Sequence, residues 1–423
     1  MKNKKFCFAF LLMLVFSAAM AQTHVSSPYT RFGLGDLLNN KYIRNTSMGG
    51  ISFGYRNPTS VNYSNPASYT AFDTLSFVFE TGLNSNFMQL ESSTEKHLTN
   101  YTSLSYLVFG FPVTKWWGAS IGLLPYSNVG YDILHEDTLD NIGTTDYTYE
   151  GNGGLNQFYF GNAFRIKNLS IGFNASYIFG SLNKLGTVSF PDSIYFLSTK
   201  IVNSTRVNDL FLNYGMQYQK NISKNVKMVT GFVYNANANL NAKQDLLIYR
   251  FLPSNDGAED VVDTIIYSEG SKGTITIPQS IGAGVTFGIN NKLLMGADYQ
   301  FQNWKKFKSF GESDSLLNSM QASFGLEYIP NLNSLTQKWK HARYRFGLRY
   351  NETYLQLHNT QLNETAVSFG IGIPMKRSKS TLNLGFELGQ RGTTDNNLIR
   401  ERFAKVVFSL SVHEYWFIKR RFD

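Results

Sequence analysis

The chain has 423 residues with a formal charge of +9, and its one cysteine, Cys7, falls within an N-terminal leader. A mature chain without a thiol excludes disulfides, zinc-thiolate centres and cysteine nucleophiles. Once the leader's Lys2, Lys4 and Lys5 are set aside, 36 basic against 30 acidic residues remain; they are scattered, with no basic helix or RNA-binding aromatic motif, so nucleic acid is excluded as a partner.

Residues 1–21 read as a secretory signal peptide. The three lysines form its charged region, Phe6–Phe16 its apolar run, and Ala19-Met20-Ala21 a small-residue cleavage site before Gln22. A membrane anchor needs about 20 apolar residues, more than this run supplies. Residues 22–73 then show no sustained alternation. Leu34, Leu37, Leu38 and Ile43 would share one face of a short helix between Gly33 and Arg44. Ser47–Tyr69 carries Gly49-Gly50 and two Asn-Pro steps, Asn57-Pro58 and Asn65-Pro66. Proline removes a backbone donor and pushes the preceding residue out of the helical region, so this stretch is compact, turn-rich chain.

From Thr74 to the C-terminus the period is two. Leu382, Leu384, Phe386 and Leu388 alternate with Thr381, Asn383, Gly385 and Glu387; Ile281, Ala283, Val285 and Phe287 alternate with Ser280, Gly282, Gly284 and Thr286. One face suits lipid, and the other is small and polar. With 34 Phe, 25 Tyr and only 16% charged residues, and with no run of about 18 apolar residues for a helical span, the chain reads as an all-β, antiparallel transmembrane barrel. About fourteen stretches are long enough to cross a bilayer at the usual strand tilt. Short connections, such as Thr114-Lys115, Lys167-Asn168 and Asn290-Asn291, alternate with long ones at Asp132–Gly154, Lys184–Val207 and Asn241–Ile277. That is the pattern of periplasmic turns and external loops. Within the last loop, Leu246–Leu252 and Val261–Tyr267 would form a hairpin above the membrane. Trp116, Trp117, Trp339 and Trp416 fall at periplasmic strand ends and Trp304 at an external end, as an interfacial girdle would place them.

Barrels of eight strands fill themselves with side chains, whereas one of about fourteen has a lumen too wide for its side chains to close, so it is either an open pore or plugged. Residues 22–73 are placed to be that plug, with the barrel spanning 74–423. The leader, the Gly49-Gly50 turn, Asn65-Pro66-Ala67 just before the first strand and the strand count together resemble the FadL/TodX family of outer-membrane transport proteins. The resemblance implies an N-terminal plug containing Asn65-Pro66-Ala67 and a lumen that takes hydrophobic molecules such as long-chain fatty acids. It also implies a lateral opening at a kinked third strand, where this chain has Pro125. Proline in a strand requires a bulge or an unpaired edge, with or without such an opening.

Arg343, Arg345 and Arg349 fall on the lumen side of their strand. They would either attract a ligand's carboxylate or pair with the lumen carboxylates Asp298, Glu327 and Glu387. Gly118-Ala119-Ser120-Ile121-Gly122 matches a nucleophile-elbow pattern, but it lies inside a strand, where the elbow needs a strand-to-helix turn. The histidines have no ligand spacing, so neither a metal nor another cofactor is expected. The reading is a non-enzymatic barrel of a Gram-negative outer membrane, surrounded by its lipids. It would be a channel for a hydrophobic small molecule or, alternatively, a non-transporting anchor or shuttle in surface assembly that meets a protein at its external loops.

Overall fold

A computed structural model describes residues 27–38, 42–140, 142–192, 195–253, 258–331, 338–375 and 378–416. The expected signal peptide and the basic tail Lys419-Arg420-Arg421 lie outside them. The chain forms a closed antiparallel barrel of fourteen spanning strands. In order these are β1 Ser76–Glu91, β2 Lys96–Pro112, β3 Trp117–Leu139, β4 Gly143–Ile166, β5 Leu169–Ser189 and β6 Ser198–Asn221. β7 is built from Val226–Asn235 and Ala238–Pro253, and β8 from Glu259–Ile277 and Ser280–Ile289. β9 Leu293–Gln302, β10 Ser319–Tyr328, β11 Arg343–Leu357, β12 Thr360–Pro374, β13 Thr381–Arg391 and β14 Arg400–Tyr415 complete the wall. β14 pairs with β1 from Tyr415↔Ser76 to Arg400↔Glu91, which closes the cylinder.

The period-two pattern sorts the side chains. Phe324, Leu348 and Phe386 point outward and are exposed, each by more than 40%, while Ser323, Glu327 and Glu387 point inward and are buried. An outer apolar band of this kind is stable only against lipid.

The wall is uneven. β9 and β10 have 10 residues each, enough to cross once. β4 and β6 have 24 each, which at about 3.3 Å per residue is roughly 80 Å of strand. The surplus stands outside the membrane as paired hairpins. The long stretches Asp132–Gly154 and Lys184–Val207, expected to be loops, are mostly strand: β3 and β4 pair as far as Leu139↔Gly143, and β5 and β6 as far as Val188↔Thr199. The hairpin expected over Leu246–Leu252 and Val261–Tyr267 forms, with Leu247 opposite Tyr267.

The helix expected between Gly33 and Arg44 does not form. Gly33 and Gly35 take positive φ, +58° and +86°, which interrupts a right-handed helix. Asp36-Leu37 is extended instead and pairs with Asn128 and Ser127 of β3. Only Ile43–Thr46 makes an α-turn. Trp304 also departs from the girdle expectation. It is 1% exposed, turns into the barrel mouth and stacks on Tyr354 at 4.4 Å, while Trp116, Trp339 and Trp416 are exposed.

Candidate functional site

The lumen is closed at two levels, and both closures use the N-terminal segment. At the lower level residues 42–72 fill the barrel's periplasmic half. Pro66–Ala71 is a 3-10 helix with Pro66 in its first turn, where a missing N–H costs nothing. Asn65 caps it by accepting from Ala67 N at 3.2 Å, and its Nδ2 donates to Phe53 O at 2.8 Å. Ala67 is fully buried. The tripeptide thus ties two turns of this segment together.

Strand glycines let the segment's backbone press against the wall. A Cβ built on Gly231 would stand 1.8 Å from Phe53 O, and one on Gly347 would stand 1.8 Å from Gly49 N. Gly118 and Gly325 are as close to Tyr69 O and Met48 O, at 2.1 and 2.3 Å. Polar lumen side chains bind the backbone between these contacts. Asp298 accepts from Ser52 N at 2.6 Å and Phe53 N at 2.9 Å. Gln217 Nε2 donates to Phe53 O at 2.8 Å, and Ser368 Oγ accepts from Gly49 N at 2.9 Å. Gly50, at φ +87°, completes the turn and faces the cavity above.

The upper closure is apolar. Residues 27–38 and the inward-folded segment 303–318 bring Tyr29, Leu34, Trp304, Phe307 and Leu316 against Val129, Leu155, Ile178 and Leu355 of the wall.

Between the closures lies a cavity of about 160 Å³. Its lining mixes Leu104, Leu124, Pro125, Met88 and Phe403 with the polar Asn84, Asn86, Tyr101 and Ser103, and carries the charged groups Arg349, Glu364, Glu387, Arg391, Glu401 and Lys405. Leu104, Leu124 and Pro125 meet a seam in the wall. β2 pairs with β3 only from Leu107↔Leu123 to Pro112↔Gly118. Above that, β3 bulges between Pro125 and Ser127, and its ladder with β2 ends. Residues 27–38 run along the freed edge: Ser27 N donates to Gly130 O, and Leu38 N to Tyr126 O, both at 3.0 Å.

The charged lining is internally neutralised. Arg349 bridges Glu364 and Glu387, each at 2.7 Å, and Lys405 reaches Glu387 at 3.2 Å. Arg391 holds Glu401 and Asp36, each at 2.6 Å, and donates to Ser27 Oγ, which in turn bonds Glu401. Arg343 and Arg345 share Glu327, at 3.2 and 2.7 Å. Of the three arginines read from the sequence, only Arg349 lines this cavity, and all three are paired. Glu387 lies across from it, Glu327 lies lower, and Asp298 serves the plug backbone. Sequence reading missed Glu364, Arg391, Glu401 and Lys405. Their signal was strand parity, because each sits on the small, polar face of β12–β14.

Ser120 is fully buried, and its hydroxyl lies 2.7 Å from both Phe109 O and Tyr159 OH, so it is a lumen hydrogen-bonding group. The cavity's ion pairs offer no nucleophile with an adjacent base.

No curated protein matches the sequence significantly. Among solved structures the chain is similar to the Ralstonia pickettii toluene transporter TbuX, with a TM-score of 0.59, 15% identity, and 88% of this chain and 98% of that one covered. It is similar to the Pseudomonas putida toluene transporter TodX, with a TM-score of 0.59, 17% identity, and 89% and 99% covered. A Pseudomonas aeruginosa FadL homologue gives 0.59 at 11% identity, with 90% and 100% covered. These likenesses are of fold. The sequence matches the BamG family over residues 2–423, so the chain belongs to the BamG family.

Proposed function

We propose that this barrel works as a closed scaffold in the outer membrane, presenting its tall external wall to a protein partner during surface assembly and conducting nothing through its lumen. The observation that carries this reading is the lower closure. Backbone seated on backbone through Gly231 and Gly347 leaves no slack for a plug to slide. A packed interior resists displacement as a whole, because its contacts are lost together. The paired hairpins of β3–β8 supply a rigid outer surface of the kind partners dock on, and the exposed Val261, Ile265 and Tyr267 on β8 add apolar area there.

The test is electrical. Purified protein in planar bilayers should show no conductance steps, and shortening the hairpin by deleting residues 246–267 should remove co-purifying protein while the barrel stays folded. Steady conductance, or partner capture that survives the deletion, defeats the proposal.

A second reading rests on the seam. Where the β2–β3 ladder ends, the residues 27–38 that cover the β3 edge could yield to lateral passage of a hydrophobic molecule, and the toluene transporters share this fold. About 160 Å³ is close to the size of a cavity that accepts benzene, so a single ring fits better than a long-chain fatty acid. Native mass spectrometry separates the two readings. A retained apolar small molecule favours passage, and a retained protein favours the scaffold.

A further inference from the structure

The six connections at the periplasmic end share a composition. Lys115, Lys167, Lys224, Lys292, Lys340 and Lys379 place at least one cation in each, and none of the six contains Asp or Glu. At the other end, five of the seven connections, 92–95, 140–142, 190–197, 254–258 and 392–399, each carry an acid and neither Lys nor Arg; His358-Asn359 carries neither acid nor Lys/Arg, and the inward-folded 303–318 carries Lys305, Lys306 and Lys308 with Glu312 and Asp314. Outside the inward-folded 303–318, the turns are therefore polarised along the barrel axis, basic at the periplasmic end. All six lysines are exposed. Among the described residues, only Lys379 of the six has a salt-bridge partner, Asp73 at 2.6 Å.

We infer that this lysine ring binds the anionic phosphate headgroups of the periplasmic leaflet and fixes the depth and orientation of the barrel. Two features point to lipid as the occupant. The cations go round the whole circumference, one turn after another, as a surrounding membrane surface does and a single docked protein does not. They also sit at the level of the aromatic girdle: Lys115 adjoins the exposed Trp116, and Lys340 the exposed Trp339. Exposed tryptophans mark the headgroup layer, and basic residues beside anionic lipid are attracted within a Debye length.

The test uses the full chain in nanodiscs of phosphatidylglycerol and phosphatidylcholine in equal amounts. Lipid retained after gentle extraction is counted by mass spectrometry. The wild type should keep phosphatidylglycerol in excess, and 0.5 M salt, at roughly a 4 Å screening length, should abolish the excess. The variant K115Q/K167Q/K224Q/K292Q/K340Q should lose it, by up to about fivefold for each lysine removed. The same five positions changed to Arg should keep it. Equal retention of both lipids by the wild type overturns the inference, as does an excess insensitive to salt. Lysine-dependent capture of an acidic soluble protein, with no lipid preference, overturns it as well. The salt arm needs no variant, so a misfolded quintuple mutant leaves the question decidable.

Discussion

The lower stopper, residues 42–72, joins aromatic packing to several backbone seats on wall glycines, whereas the upper one, residues 27–38 with 303–318, joins apolar packing to strand pairing with β3 and an ion pair to Arg391. Below, the wall contributes glycines and single polar groups such as Asp298 and Gln217. Above, it contributes Val129, Leu155 and Ile178. The difference lies in tolerance. Side-chain packing relaxes around a lost group at a graded cost. A backbone seat at 1.8 Å from a would-be Cβ has nothing to give. The lower stopper adds steric fit at glycine seats to its burial, and the upper adds strand pairing and an ion pair to its own.

Breaking the seat should have the largest effect. Gly347→Val places its side chain on Gly49 N, where Gly49 itself needs φ +64°. The expected result is loss of folded barrel, read as disappearance of the heat-modifiable band on electrophoresis. Trp304→Ala opens the upper stopper instead. It should cost about 3–5 kcal/mol in urea unfolding, yet conductance should stay absent because the lower seat holds. If Trp304→Ala conducts, the lower stopper is no seal. Asp298→Ala strips two plug amides of their acceptor, a loss of about 2–3 kcal/mol, while Asp298→Asn should keep most of the stability. Lys379→Gln removes an exposed pair to Asp73 at the rim and should shift stability by less than about 1 kcal/mol, salt-dependently.

Strand parity made much of this legible. Alternation in Leu382–Leu388 located β13 and its lumen face, and the same parity gave Glu387 its inward position. The short turns fell where they were expected because a turn of two or three residues leaves little freedom in register. What resisted reading was everything set by contact at a distance. Asp132–Gly154 and Lys184–Val207 had no clean period, so their continuation as paired strand was hidden, whereas the apolar runs of the third loop announced its hairpin. Trp304 looked interfacial because tryptophan at a strand end usually is; the inward fold of 303–318 is a tertiary decision. Asp36 carried no pattern at all, since its partner Arg391 lies 355 residues away. The glycines were visible as small lumen residues, but the backbone they receive was not.

The strap along β3 also carries a consequence for biogenesis. Ser27, near the start of the chain, bonds Glu401 and Arg391 in the last two strands, 374 and 364 positions later. It lies inside a cylinder that β14 closes against β1. A strap inside a closed ring cannot be threaded in afterwards at its full width of contacts, so the final zippering of β14 must take place around an N-terminus already in position. Contacts of such separation form late and slowly. Until β14 pairs with β1, Ser27 lacks its partners Glu401 and Arg391, and the barrel is an open, edge-exposed sheet.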